Sequence, residues 1–369
     1  MRHFLCIFMI FTVLSFTAFA NGLDEEIEER IGTDKLDEII PESILQNEDL
    51  SDVDFSYSES SKALSLKTVL AKVVSVFFKG LSGEILFFST VMAFLILSSV
   101  YSSFADGTKN ALPESVNFAI TVFLCTVIYT HVTDSLDIMC SYVKELTGFM
   151  TALLPFFATA LCMQGAGTEA VTTGGILITV ITLVEKVSVG IVVPLVKILF
   201  AFMCSGFITK INFAPITDYI SSFAAKTCTV TMSIISAILY FQHALAASSD
   251  SLALRSVKLA AGNLIPIVGS MVAEASSTVI AGVKLVKTTL GLFAVAVLLY
   301  MTLTPIMRFI TRKISLKLLS ALSSVLGNDT AAKVISSVYG VYHIMSALMF
   351  SVSTFFVFAV AIFVKSGVV

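Results

Sequence analysis

Long apolar runs separated by short polar stretches dominate the chain from residue 81 onward. The clearest runs are Ile85–Phe104, Val116–Val132, Gly148–Met163, Cys228–Ala246, Leu290–Ile310 and His343–Val364. Each approaches the roughly 20 residues that carry a helix across about 30 Å of hydrocarbon. A further run, Gly174–Ile208, is longer than one span and holds Glu185-Lys186 inside it. It predicts two helices, one before that pair and one after. The pattern as a whole predicts an all-α, polytopic membrane protein with about 8 transmembrane helices, in a range of about 7–9.

The chain before residue 81 follows different patterns. Arg2 and His3 precede an apolar run from Phe4 to Phe16, and Ala18-Phe19-Ala20 stands before Asn21. That order predicts a cleavable signal peptide over residues 1–20, with the mature N-terminus outside the cytoplasm. Residues 21–62 form an acidic segment. Its stretch from Leu23 to Ile40 can place Leu23, Ile27 and Ile31 on one side of a short helix. Otherwise it has little to bury, and it is expected to be disordered until it meets a partner, or to be a solvated spacer. Residues 63–80 are amphipathic: Leu66, Val69, Leu70, Val73, Val74, Phe77 and Phe78 oppose Thr68, Lys72, Ser75 and Lys79. This predicts a helix in the outer membrane interface, or one packed in a small extracellular subdomain. The polytopic membrane domain is residues 81–369.

Composition sharpens this picture. The chain is 56% hydrophobic and 13% charged, with a mean hydropathy of +0.94. A soluble domain is about 25% charged, so lipid must serve as much of the solvent. The net charge of −3 hides fourteen acidic residues between positions 21 and 60, against Arg30 and Lys35. No basic face suits nucleic acid. The cysteines (Cys6, Cys125, Cys140, Cys162, Cys204 and Cys228) make no C-x-x-C pair; Cys6 falls in the signal and the others read as small buried hydrophobes.

Basic residues give an orientation. With Asn21 outside and eight crossings, the loop after Ile310, which carries Arg312, Lys313, Lys317 and Lys333 just beyond Arg308, falls on the cytoplasmic side, as the positive-inside rule expects. Ile314, Leu318, Leu322 and Val325 oppose Lys313, Lys317, Ser320 and Ser324, which predicts an interfacial helix on the inner leaflet ending at Gly327-Asn328. Pro155, Pro194 and Pro305 lie within spans, where each frees a backbone carbonyl and permits a kink.

The least ordinary stretch runs from Ser249 to Gly291. Ser249 or Asp250 can cap a helix carrying Arg255 and Lys258. After Asn263, Pro266 and Gly269 interrupt what would otherwise be a short apolar run. Gly269, Ala273, Ser277 and Ala281 then recur every four residues, a small-residue stripe that lets a second helix approach closely. Glu274 lies beside the stripe, and a carboxylate there should face protein or a water-filled cavity. Asp250, Arg255, Lys258, Asn263, Pro266, Gly269 and Glu274 are the candidate functional motif, a discontinuous element near the membrane centre. The alternative is a solvated loop followed by an ordinary tight helix pair.

The run "SDSLALRSVKLAAGNLIPIVGSMVAEASSTVIAGVKLVKTTLG" resembles the stage III sporulation protein AE family of endospore-forming bacteria. The resemblance is specific over residues 248–291 and diffuse over the rest of the mature chain. It implies a role in sporulation, within a secretion-like membrane complex that links mother cell and forespore. The implied partners are the other stage III A membrane proteins, including a partner ATPase, and the implied location is the mother-cell membrane around the forespore. The family brings no catalytic residues.

No Walker loop, G-x-S-x-G, H-E-x-x-H or dinucleotide fingerprint occurs. His3, His131, His243 and His343 are scattered, the last three near span ends. The expected function is therefore non-enzymatic, with no cofactor and no metal site. A free-standing secondary transporter and a recruiting scaffold are the rivals. An inverted repeat would favour the transporter, and none is evident.

Overall fold

The computed structural model describes residues 35–47, 50, 53, 63–105, 112–164, 166–209, 211, 213, 215–235, 237–238 and 269–365; at 102–105, 112–114, 116–117, 269–285 and 365 only the backbone is described. Regular structure among them is helical throughout. A 3-10 turn at Asp37–Ile39 precedes α1 (Glu42–Leu45), α2 (Leu66–Gly83), α3 (Ile85–Ala105) and α4 (Leu112–Met163). Then come α5 (Gly167–Val187), a π-helical turn (Ser188–Val192), α6 (Val193–Thr209), α7 (215–235), α8 (Gly269–Val325) and α9 (Asp329–Lys365). Five segments are long and apolar enough to cross a membrane: Leu66–Tyr101, Phe118–Met163, Gly167–Thr209, Val286–Val325 and Asp329–Val364.

The bundle is built around α8. Its apolar window is 83% buried, against 17% for the window spanning α2 and α3. α4 runs antiparallel to α8, as successive contacts show. Gln164 meets Lys287, Phe149 packs against Phe293, Tyr142 bonds Thr302, and Asp134 pairs with Arg312. α9 returns along α8 after a turn at Gly327, whose φ of 74° suits a residue without a Cβ. Asn328 caps α9 by accepting from the Ala331 N–H at 3.0 Å, and its amide donates to Ser98 Oγ at 2.7 Å. Ser99 donates to the Leu326 carbonyl, so the end of α3 is tied to the hairpin.

α2 begins at a cap in which Ser65 Oγ accepts from the Thr68 N–H. Its buried residues are Val69 and Val76, while Leu66, Leu70, Val74 and Phe78 form an exposed apolar stripe. The helix thus packs on the bundle with one face and offers lipid the other. Gly80 makes the close approach possible: a Cβ there would lie 3.2 Å from Thr311 Oγ1 and 3.3 Å from its methyl. Gly80→Leu should push α2 off α8 and cost about 1–3 kcal/mol, read as a lower unfolding midpoint in detergent.

Several expected boundaries are corrected. The runs Val116–Val132 and Gly148–Met163 belong to one uninterrupted helix, α4. The charges between them (Asp134, Asp137, Lys144 and Glu145) resemble a loop in sequence, yet Asp134 is paired and Asp137 and Glu145 face a cavity. Gly174–Ile208 does not turn back at Glu185-Lys186. The helix continues through the π turn, where the Val193 N–H donates to the Ser188 carbonyl five residues back. Pro194 accounts for this locally, since it has no N–H and its ring crowds the carbonyl four residues earlier. The segment expected to be a separate inner-leaflet helix is the last part of α8. Its inner face is Ser315, Leu316, Leu319 and Ser323, while Ile314, Leu318 and Val325 are exposed.

Candidate functional site

The described part of the acidic leader is folded onto the bundle. Leu36, Ile40, Ile44, Leu50 and Val53 are buried, and Asn47 Nδ2 donates to Thr304 Oγ1 at 3.0 Å; just beyond the leader, Tyr300 donates to the Ala63 carbonyl at 2.9 Å. Between this leader and helices α2, α4 and α8 lies a cavity of about 1060 Å³. Lys79, Glu84, Asp137, Glu145, Arg308 and Arg312 bring ionisable groups to its wall. Pro305 and Met301 also line it; Pro305 has no N–H to give the Met301 carbonyl, so that acceptor is left for other donors. Ionisable groups within membrane helices belong in such a place, because water can enter.

Glu84 and Arg312, which line the cavity, belong to a polar network joining α4, α8, α9 and the α2–α3 junction. Arg312 Nε donates to Glu84 Oε1 at 3.1 Å and its Nη2 to Asp134 Oδ2 at 2.6 Å; Nη1 donates to Ser135 Oγ. His131 Nε2 lies 3.0 Å from Glu84 Oε2, and Nδ1 lies 2.9 Å from the Tyr342 hydroxyl. That hydroxyl is 2.6 Å from Ser135 Oγ, and Ser135 reaches the His131 carbonyl at 2.8 Å. Phe87 of α3 stacks on the His131 ring with centroids 3.9 Å apart. Glu84, Ser135, Arg312 and Tyr342 are buried. The planar guanidinium suits this junction, because its fork reaches three acceptors on two elements at once.

None of these residues was in the expected motif. Asp250, Arg255, Lys258, Asn263 and Pro266 lie outside the described residues. Gly269 opens α8, and Ala273, Glu274, Ser277 and Ala281 lie on its first turns, where the backbone alone is described. Arg312 was expected to face the cytoplasm as part of a basic cluster; it is instead buried and paired. Arg308 lines the same cavity as Asn47 of the leader. His131 was expected to sit at a span end as an amphipathic ring, whereas it lies mid-helix in α4. The available signal was its place, with Glu84 and Asp134, beside apolar runs, since ionisable groups there need partners.

Comparison with known proteins adds a family-wide match. The family model described as stage III sporulation protein AE matches residues 50–367. The curated stage III sporulation protein AE of Bacillus subtilis (strain 168) is 25% identical over 281 residues, which cover 74% of this chain and 68% of that protein. No solved structure matches.

Proposed function

Because this chain belongs to the stage III sporulation protein AE family, we propose that it is a non-enzymatic, multi-pass component of the stage III A sporulation assembly, acting at its charged cavity. The assembly is a secretion-like complex between mother cell and forespore, and this subunit sits in the mother-cell membrane around the forespore. Its partners are the other stage III A membrane proteins, and an ATPase among them supplies the energy. The observation that carries this reading is the cavity itself. A chamber of about 1060 Å³ walled by both signs of charge has no packing role in an apolar bundle. The leader borders the chamber, and with a cleaved signal its mouth opens on the extracytoplasmic side.

Filling the chamber tests this. Ser141 lines it from the exposed side of α4, so Ser141→Trp adds bulk without entering the core. Heat-resistant spore yield should fall about a hundredfold, with membrane levels of the protein within about twofold of wild type. Normal yield from a stably inserted variant would remove the cavity from the function.

A further inference from the structure

We propose that Cys125 and Cys204 are a disulfide-forming pair, a site at which a small oxidising disulfide cross-links α4 to α6. The register of the helices carries this. α4 turns into α5 after Met163, and the chain continues without reversal through the π turn into α6, so α6 runs antiparallel to α4. Thr147 Oγ1 on α4 lies 3.5 Å from Glu185 Oε2 on α5, and farther along Tyr129 meets Phe200 with ring centroids 6.0 Å apart. Four residues beyond that ring contact, back along α4 and forward along α6, stand Cys125 and Cys204. Residues four apart share a helix face, so the two cysteines lie on the same seam as the rings. Their thiols hydrogen-bond to each other across it. Cys125 is buried, and Cys204 is half-buried.

The geometry of packed helices permits the bond. Axes lie about 8–10 Å apart and Cα atoms about 2.3 Å from each axis, which leaves roughly 3.4–5.4 Å between Cα atoms that face each other. A disulfide accepts Cα separations of about 4.4–6.8 Å. The oxidant is a low-molecular-weight disulfide, R–S–S–R. Cys204, the more accessible thiol, loses its proton and attacks one oxidant sulfur. The oxidant S–S bond breaks, and the first half leaves as RSH with that proton. Cys125 then loses its proton and attacks the Cys204 sulfur of the mixed disulfide. The Cys125–Cys204 bond forms, and the second half leaves as RSH. Two cysteines are oxidised and one disulfide is reduced to two thiols. Burial among apolar side chains restricts the reaction to an oxidant that dissolves in the membrane. The link joins α6, beyond the π turn, to the helix that carries Asp137 and Glu145 of the cavity wall.

The test treats the full chain in lipid nanodiscs with dipyridyl disulfide, a membrane-soluble oxidant, and maps the cysteines by proteolysis and mass spectrometry without reduction. The expected result is a peptide pair joined through Cys125 and Cys204 in more than about half of the chains, separated again by dithiothreitol. A second protein carries Cys204→Ser and Ser205→Cys. Ser205 is exposed, and the thiol there is turned about 100° away from the seam. Its link to Cys125 should be at least about tenfold less abundant. Free thiols at both positions after treatment, in protein that stays monodisperse, overturn the proposal. So does a pyridylthio adduct that persists on Cys204 beside a reduced Cys125, because the second attack then has no path. A link that forms equally well from Ser205→Cys also overturns it, since the register would not select the pair.

Discussion

Replacing Arg312 by Ala is expected to destabilise the protein by about 3–5 kcal/mol, because it leaves buried charge without its partner. Arg312 holds Glu84, Asp134 and Ser135 together. Asp134 has 60% of its side chain exposed and can rehydrate, but Glu84 has 9%. Glu84 would keep only His131. Arg312→Lys should recover part of the loss: the ammonium restores charge, but cannot reproduce a planar fork aimed at three acceptors. Arg312→Met combined with Glu84→Gln should be more stable than Arg312→Ala, because the orphaned carboxylate is gone. Unfolding midpoints in detergent, together with protein levels in the membrane, read out the series. An Arg312→Ala protein as stable as wild type would mean that the network does not hold the helices.

Phe293→Ala should cost about 3–5 kcal/mol, the range for emptying a large aromatic site in a packed core. Phe293 is fully buried on α8 and meets Phe149 with ring centroids 6.4 Å apart. In lipid the loss comes from dispersion contacts with neighbouring side chains, since an apolar solvent gives little hydrophobic drive. Leu97→Ala provides the contrast. Leu97 is 63% exposed on α3, and its truncation should change stability by less than about 0.5 kcal/mol. The same unfolding assay compares the two. Equal losses would show that α3 is packed as deeply as α8, against the arrangement described.

That contrast also marks what could be read from the sequence. The all-α membrane class was legible because apolar runs of spanning length have few other uses. The rank of the helices was not. The windows in α2–α3 and α8 have mean hydropathies of 1.9 and 2.1, yet they are 17% and 83% buried. Lipid and protein interior reward the same side chains, so hydropathy cannot separate the central helix from a peripheral one. Charge misled in α4 for a related reason: Asp134 to Glu145 resemble a loop until Arg312 and the cavity are in place. The network itself is non-local. Glu84 lies 228 positions from Arg312, and His131 lies 211 from Tyr342, separations that no local pattern spans. The motif at residues 249–291 drew attention because its irregularity is local.

The π turn at Ser188–Val192 has a consequence for angular phase. Buried positions run Val184, Ser188, Val192 and Val196, three steps of four residues each. In a regular helix each residue turns roughly 100°, so each step of four overshoots a full circle by about 40°. Three such steps would carry the stripe about 120° around the axis, and Val196 would leave the bundle. Widening one turn absorbs much of that excess and returns α6 to the side that α5 already faces. Glu185-Lys186 therefore precedes a change of winding and not a change of direction. An insertion or deletion in this turn would rotate every later side chain of α6, while the helix still ran along the same line.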